Sequence, residues 1–125
     1  QSAVLSYFAN DVCAVERIKP LVAKSRENLS ELKIRNVIVK HADGFDGWEE
    51  DLKFDGIICA AAPREYPEEL LDLLEVGGKL VIPVGLEGKQ KLYVITKKSE
   101  TEHEEIVHEE VAFVPMLPGV SNGDV

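Results

Sequence analysis

Phe54-Asp-Gly-Ile-Ile-Cys-Ala-Ala-Ala-Pro63 is the stretch on which the architecture turns. An acidic residue, a short unbroken apolar run and then small residues closed by Pro read as a parallel strand buried on both faces, whose C-terminal end opens into a loop. Open α/β sheets bind their ligands at such ends. On each side of this stretch the chain repeats the same kind of unit.

Upstream, residues 2–10 put Val4, Leu5, Phe8 and Ala9 on one helical face. Cys13, Ala14 and Val15 then form a short strand ending at Glu16 and Arg17. Pro20 suits a first helical turn, and Leu21, Val22, Leu29 and Leu32 make the next helix amphipathic as far as about Lys33. Val37, Ile38 and Val39 form a β-branched strand that ends at His41, Ala42, Asp43 and Gly44. A loop marked by Gly44, Asp46, Gly47 and Trp48 comes next, with at most one helical turn over residues 49–52. Downstream of the opening stretch, Pro67 starts a helix with Leu70, Leu71, Leu73 and Leu74 on its buried face. Gly77 and Gly78 stop that helix, and Leu80, Val81 and Ile82 form a buried strand closed by Pro83, Val84 and Gly85. Beyond Gly88 the period changes to two, predicting an antiparallel hairpin from Leu92 to Val114, and the last residues read as tail.

Strand, helix, strand, loop, strand, helix, strand is an α/β order, and right-handed crossovers make the sheet mostly parallel with its ligand loops on one edge. Glu16 brings to that edge an acceptor-only carboxylate suited to the two hydroxyls of a ribose. Asp43 can accept from an exocyclic amine, while Gly44 lets the backbone approach a flat ring. Ala60, Ala61, Ala62 and Pro63 leave room for a second substrate. Each feature alone also has a structural explanation: an ion pair at Glu16 and Arg17, a turn at Asp43 and Gly44, packing at the alanines. Spacing favours the functional one. In nucleotide-binding units the ribose acid lies ~20 residues after a glycine-rich loop, which here places that loop immediately before Gln1.

The chain of 125 residues is 45% hydrophobic and 30% charged, enough for one folded domain. A net charge of −9 disfavours nucleic acid and anionic lipid as partners. No apolar run approaches a membrane span, so the expected setting is cytoplasmic. Cys13 and Cys59 lie in strands without metal-ligand spacing and read as reduced core residues. His103 and His108 are one residue too far apart for a zinc-binding helix motif, and no metal site is expected.

Together, Gln1-Ser-Ala-Val-Leu5, Val15-Glu-Arg-Ile18, Asn36-Val37, His41-Ala-Asp-Gly44, Gly47-Trp48, Phe54-Asp55, Ala60-Ala-Ala-Pro63, Gly77-Gly-Lys-Leu-Val-Ile-Pro-Val-Gly85 and Phe113-Val-Pro115 resemble the protein-L-isoaspartate O-methyltransferases. The resemblance runs from Gln1 to about Pro118. It implies a Rossmann-like methyltransferase domain over residues 1–118 with a flexible tail over 119–125. It also implies transfer of a methyl group from S-adenosyl-L-methionine to the carboxylate of isoaspartyl residues in damaged proteins, for repair. On this resemblance Glu16, Arg17, Asp43 and Gly44 bind the cofactor. Ala61, Ala62, Pro63, Pro83, Val84 and Gly85 border the peptide. The catalytic residues are expected in a segment upstream of Gln1, together with the glycine-rich loop and the first, central strand. That strand would lie between the strand at Val12 and the strand at Ile57, spanning a gap of about 9 to 10 Å. The family sheet further implies that the last strand is inserted between its two predecessors. As written, the chain is expected to be a C-terminal portion, inactive alone. The alternatives are a methyltransferase with another acceptor, a dehydrogenase, and a non-catalytic module that binds or self-associates through its open edges.

Overall fold

The structure, a computed structural model, describes residues 1–44, 52–65 and 68–122. The expectations for Asp46, Gly47 and Trp48, for a turn beginning at residue 49, and for Pro67 lie outside these residues, as do positions 123–125. In chain order the elements are α1 (Ser2–Leu5), β1 (Val12–Glu16), α2 (Lys19–Glu31), β2 (Val37–His41), β3 (Phe54–Ile58), β4 (Ala61–Ala62), α3 (Glu68–Asp72), β5 (Leu74–Val84), β6 (Gln90–Lys97), β7 (His103–Val111) and β8 (Val114–Pro115). Two compact units result: Gln1–Gly44 with Pro118–Val125, and Phe45–Leu117.

In the first unit β1 and β2 pair in parallel, from Val12 with Val37 to Glu16 with His41. Pro20 sits in the first turn of α2 as its fixed φ predicts. Lys33, at φ 58°, ends the helix in the left-handed region. The expected apolar face is only partly covered: Val22 is buried, but Leu21 is 43% and Leu32 63% exposed. Two strands span about 5 Å between axes, too narrow to cover a helix about 10 Å across. At the N-terminus the expected helix over 2–10 contracts to a single turn, and Phe8 is 85% exposed. So short a helix without a packed face is marginal. Asn36 instead draws the carbonyls of Ser6 and Ala9 to its side-chain amide, at 2.8 and 3.1 Å. The segment expected as a tail returns to this unit, where Ser121 N donates to Arg17 O and Lys19 N donates to Ser121 O.

The second unit holds a four-stranded sheet in the order β3-β5-β6-β7, parallel at its first pairing and antiparallel at the next two. The last strand is therefore not inserted between its predecessors. Short connections at 85–89 and 98–102 make β5, β6 and β7 a meander, in which β6 pairs with both neighbours. The expectation that β3 is buried on both faces also gives way: Asp55, Gly56 and Ile58 are exposed. Among the described residues β3 has a partner on one edge only.

The helix expected to run from Pro67 to Gly77 ends at Asp72, and Leu74 already belongs to β5. Phe54 pairs with Leu74 and Gly56 with Lys79, so the extra residues of β5 bulge at Gly77. Leu70, Leu73 and Leu74 nevertheless reach the core, packed with Leu80, Ile82, Val84 and Ile95 on one sheet face. Lys97, 6% exposed, caps the end of α3 by donating to Leu71 O and Leu74 O at 3.3 and 3.0 Å.

Candidate functional site

The residues expected at the cofactor gather in the first unit. Because β1 and β2 are parallel and Glu16 is in register with His41, their C-terminal ends open on the same edge. Ala42 N donates to Glu16 O at 3.1 Å and fixes the turn into Asp43 and Gly44. Glu16 is half-buried, and its carboxylate makes no hydrogen bond or ion pair among the described residues. Among the described residues it is an acceptor with no donor. Asp43 is engaged differently: Oδ2 accepts from Gly119 N at 2.7 Å. Arg17 also faces this segment, with Nε donating to Gly119 O at 3.3 Å.

His41, to which the sequence assigned no role, ties these parts together. Its Nε2 lies 2.9 Å from Arg17 O and 3.2 Å from Ser121 O, two acceptors, so Nε2 must carry the proton. The signal available in the sequence was a histidine in register with Glu16, but the register itself is a long-range property.

The residues expected at the acceptor gather in the second unit. β4 pairs in parallel with β8 through Ala61 with Val114 and Ala62 with Pro115. Met116 N donates to Ala62 O, and Gly85 N donates to Pro63 O, both at 2.9 Å. The last bond joins the segments 61–63 and 83–85 directly. Ala62, Pro63, Pro83 and Val84 are buried, while Ala61 and Gly85 are half-buried. Beside them lies an open concavity of about 470 Å³, lined by Arg64, Glu65, Glu68, Val84, Tyr93 and Glu105. The charged wall supplied by β7 and α3 was missed, because strand order decides which glutamates face inward.

Cys59 leaves β3 toward this region, and burial pushes its thiol up to about 11. Cys13 is also shifted up, by burial and then by the charge of Asp11. Both are free thiols. Among the described residues no group of three or more His, Cys, Asp or Glu side chains is placed to hold a metal ion. None of the described helices is long and apolar enough to cross a membrane.

A family model for protein-L-isoaspartate(D-aspartate) O-methyltransferase matches residues 1–121. The chain belongs to this family. It is similar to protein-L-isoaspartate O-methyltransferase 1 of Marinobacter nauticus, 48% identical over 96% of this chain and 54% of that protein. The Methylobacillus flagellatus protein-L-isoaspartate O-methyltransferase is 47% identical over 97% of this chain and 55% of its own length. The chain thus spans about half the length of the curated relatives it matches. Among solved structures, a Plasmodium falciparum protein described as a beta-aspartate methyltransferase in complex with S-adenosyl-L-homocysteine superposes with a TM-score of 0.70 at 36% identity. That match covers 86% of this chain and 52% of the other. A second protein-L-isoaspartate O-methyltransferase superposes with a TM-score of 0.79 at 25% identity, over 89% of this chain and 35% of the other. The Rossmann-like methyltransferase fold is therefore that of the family: parallel strands joined to an antiparallel meander.

Proposed function

We propose that this chain contributes the ribose-holding and acceptor-side segments of a protein-L-isoaspartate O-methyltransferase that methylates the carboxylate of isoaspartyl residues. The observation that carries the reading is the unpartnered, half-buried Glu16 beside Asp43 at the ends of neighbouring parallel strands, in a chain matched by the family over residues 1–121. These residues fit the nucleoside part of S-adenosyl-L-methionine. Glu16 accepts from the ribose hydroxyls. Asp43, a carboxylate acceptor at the end of the neighbouring strand, would face the exocyclic amine, and Gly44 would let the backbone approach the ring. When bound, the cofactor supplies an electrophilic methyl group on a sulfonium.

The acceptor carboxylate is already ionised at neutral pH, so the chain needs no general base for it. Its task is alignment, and a well-held near-attack geometry supplies a large share of such a rate. The small side chains of Ala61 and Ala62 let a peptide backbone approach. Pro63 and Pro83 restrict the segments on which it would lie. The cellular setting that suits such repair is the cytoplasm.

Titrating S-adenosyl-L-homocysteine into the folded chain by calorimetry tests the cofactor reading. Binding that weakens at least about tenfold in Glu16→Gln is expected, since the bonds made by an ionised acceptor are worth about 1.5–3 kcal/mol. Binding indifferent to Glu16 would sink the assignment. A second reading, self-association through an open strand edge, is favoured by the exposed side chains of β3. A concentration-independent monomer in sedimentation would oppose it.

A further inference from the structure

Gln90 is the most deeply buried polar side chain among the described residues, 2% exposed at the start of β6. Its amide is used at both ends. Nε2 donates to Phe113 O at 3.0 Å, and Oε1 accepts from Phe113 N at 2.7 Å. The opposite orientation of the amide would set donor against donor and acceptor against acceptor, so the bonding pattern fixes it. A side chain that satisfies both backbone groups of one residue pins that residue as a ladder partner would.

The position of Phe113 in the chain gives the bond its reach. Phe113 leads directly into β8, which pairs with β4, and Met116 N donates to Ala62 O. On the other side, Gly85 lies against the backbone of Lys89 and Gln90. A Cβ added at Gly85 would sit 2.5 Å from Lys89 O and 3.1 Å from Gln90 Cα. Gly85 N in turn donates to Pro63 O. Through its side chain Gln90 therefore holds one flank of the segment 61–63, and through its main chain it abuts the other.

Resting on the reading of 61–63 and 83–85 as the acceptor side, we infer that Gln90 is a positioning residue that sets the separation of these two segments and so admits the peptide backbone of the acceptor. It acts through Phe113 and Gly85.

Two variants of the full chain test this. Gln90→Met keeps the volume and removes both bonds. Gln90→Glu keeps an acceptor for Phe113 N but loses the donor to Phe113 O. By amide exchange, Gln90→Met is expected to speed the Phe113, Met116 and Gly85 amides by about tenfold, leaving the central β5–β6 ladder unchanged, with Gln90→Glu in between. A short isoaspartyl peptide titrated into the labelled chain is expected to shift the amides of Ala61, Ala62 and Gly85, where its aspartyl counterpart does not. Its apparent Kd rises about tenfold in Gln90→Met and less in Gln90→Glu. Unchanged exchange at Met116 and Gly85, or a uniform rise across β5 and β6, overturns the positioning role. A peptide that leaves those amides unmoved in the unaltered chain instead overturns the acceptor-side reading, and the exchange pattern still decides what Gln90 holds.

Discussion

Gly85 and Gly77 separate two reasons for glycine. Both have positive φ, 136° and 90°, but a Cβ at Gly85 would sit 2.5 Å from Lys89 O, whereas at Gly77 nothing lies within 4 Å. Gly85→Ala is expected to cost about 3 kcal/mol or more and Gly77→Ala about 1 kcal/mol, read as shifts of the denaturant midpoint. Lys97→Met leaves the carbonyls of Leu71 and Leu74 without their donor and is expected to cost about 1–3 kcal/mol by the same measurement. Cys59 contributes a pH dependence of its own. Its thiol ionises near 11 when folded against a reference of 9.0, so the unfolded chain loses its proton first. Stability therefore falls as pH rises from about 9 to about 11, with no contribution below that window. Comparing unfolding midpoints of the chain and Cys59→Ala across this range isolates the effect, and parallel curves would refute it. None of these environments is written locally. Burial of Lys97 and the contact at Gly85 depend on what the meander brings alongside.

At the level of elements, β1, α2 and β2 were legible because Pro20, the spacing of the leucines and the β-branched run 37–39 each carry a local preference that the fold keeps. The boundary between α3 and β5 was not. Leu70, Leu71, Leu73 and Leu74 suit a helical face, but the core accepts Leu74 equally well from a strand, and pairing with Phe54 decides in favour of the strand. The strand order that the resemblance implied is not kept, and period-two alternation, which says nothing about neighbours, offers no check on it. Order does determine exposure. Across the four strands Ile58, Val81, Val94 and Ile106 lie in register as one apolar row, with Ile58 44% and Ile106 50% exposed. Ile58→Lys, on the open strand edge, is expected to raise solubility and lower self-association at a stability change of about 1 kcal/mol or less. Sedimentation at several concentrations with a denaturant titration checks both parts.

For the molecule as a whole, the buried cluster of Leu70, Leu73, Leu74, Leu80, Ile82, Val84 and Ile95 belongs entirely to the unit Phe45–Leu117. The other unit buries Val12, Val22 and Val39. Amides of α2, β1 and β2 are therefore expected to exchange faster than those of β5 and β6, by about tenfold or more, through openings that leave the meander intact. Equal rates would show a single cooperative unit. Each candidate site was legible to the extent that it is assembled from strand ends that the α/β order predicts. His41, Gly119, Ser121 and Gln90 were not legible as parts of it, because their roles arise from pairings between residues far apart in sequence.

Those pairings also bear on when the edge at Glu16 is finished. Arg17 and Asp43 meet Gly119 across sequence separations of 102 and 76 residues, respectively. During translation the segment at Gly119 leaves the ribosome long after β1 and β2 have emerged. Until then the bonds from Arg17 Nε to Gly119 O and from Gly119 N to Asp43 Oδ2 are not made. Prior folding of Phe45–Leu117 would shorten the loop that has to close and reduce its entropic cost. The edge most suited to a nucleoside thus acquires its form only after the meander has been synthesised, although its own strands are made first.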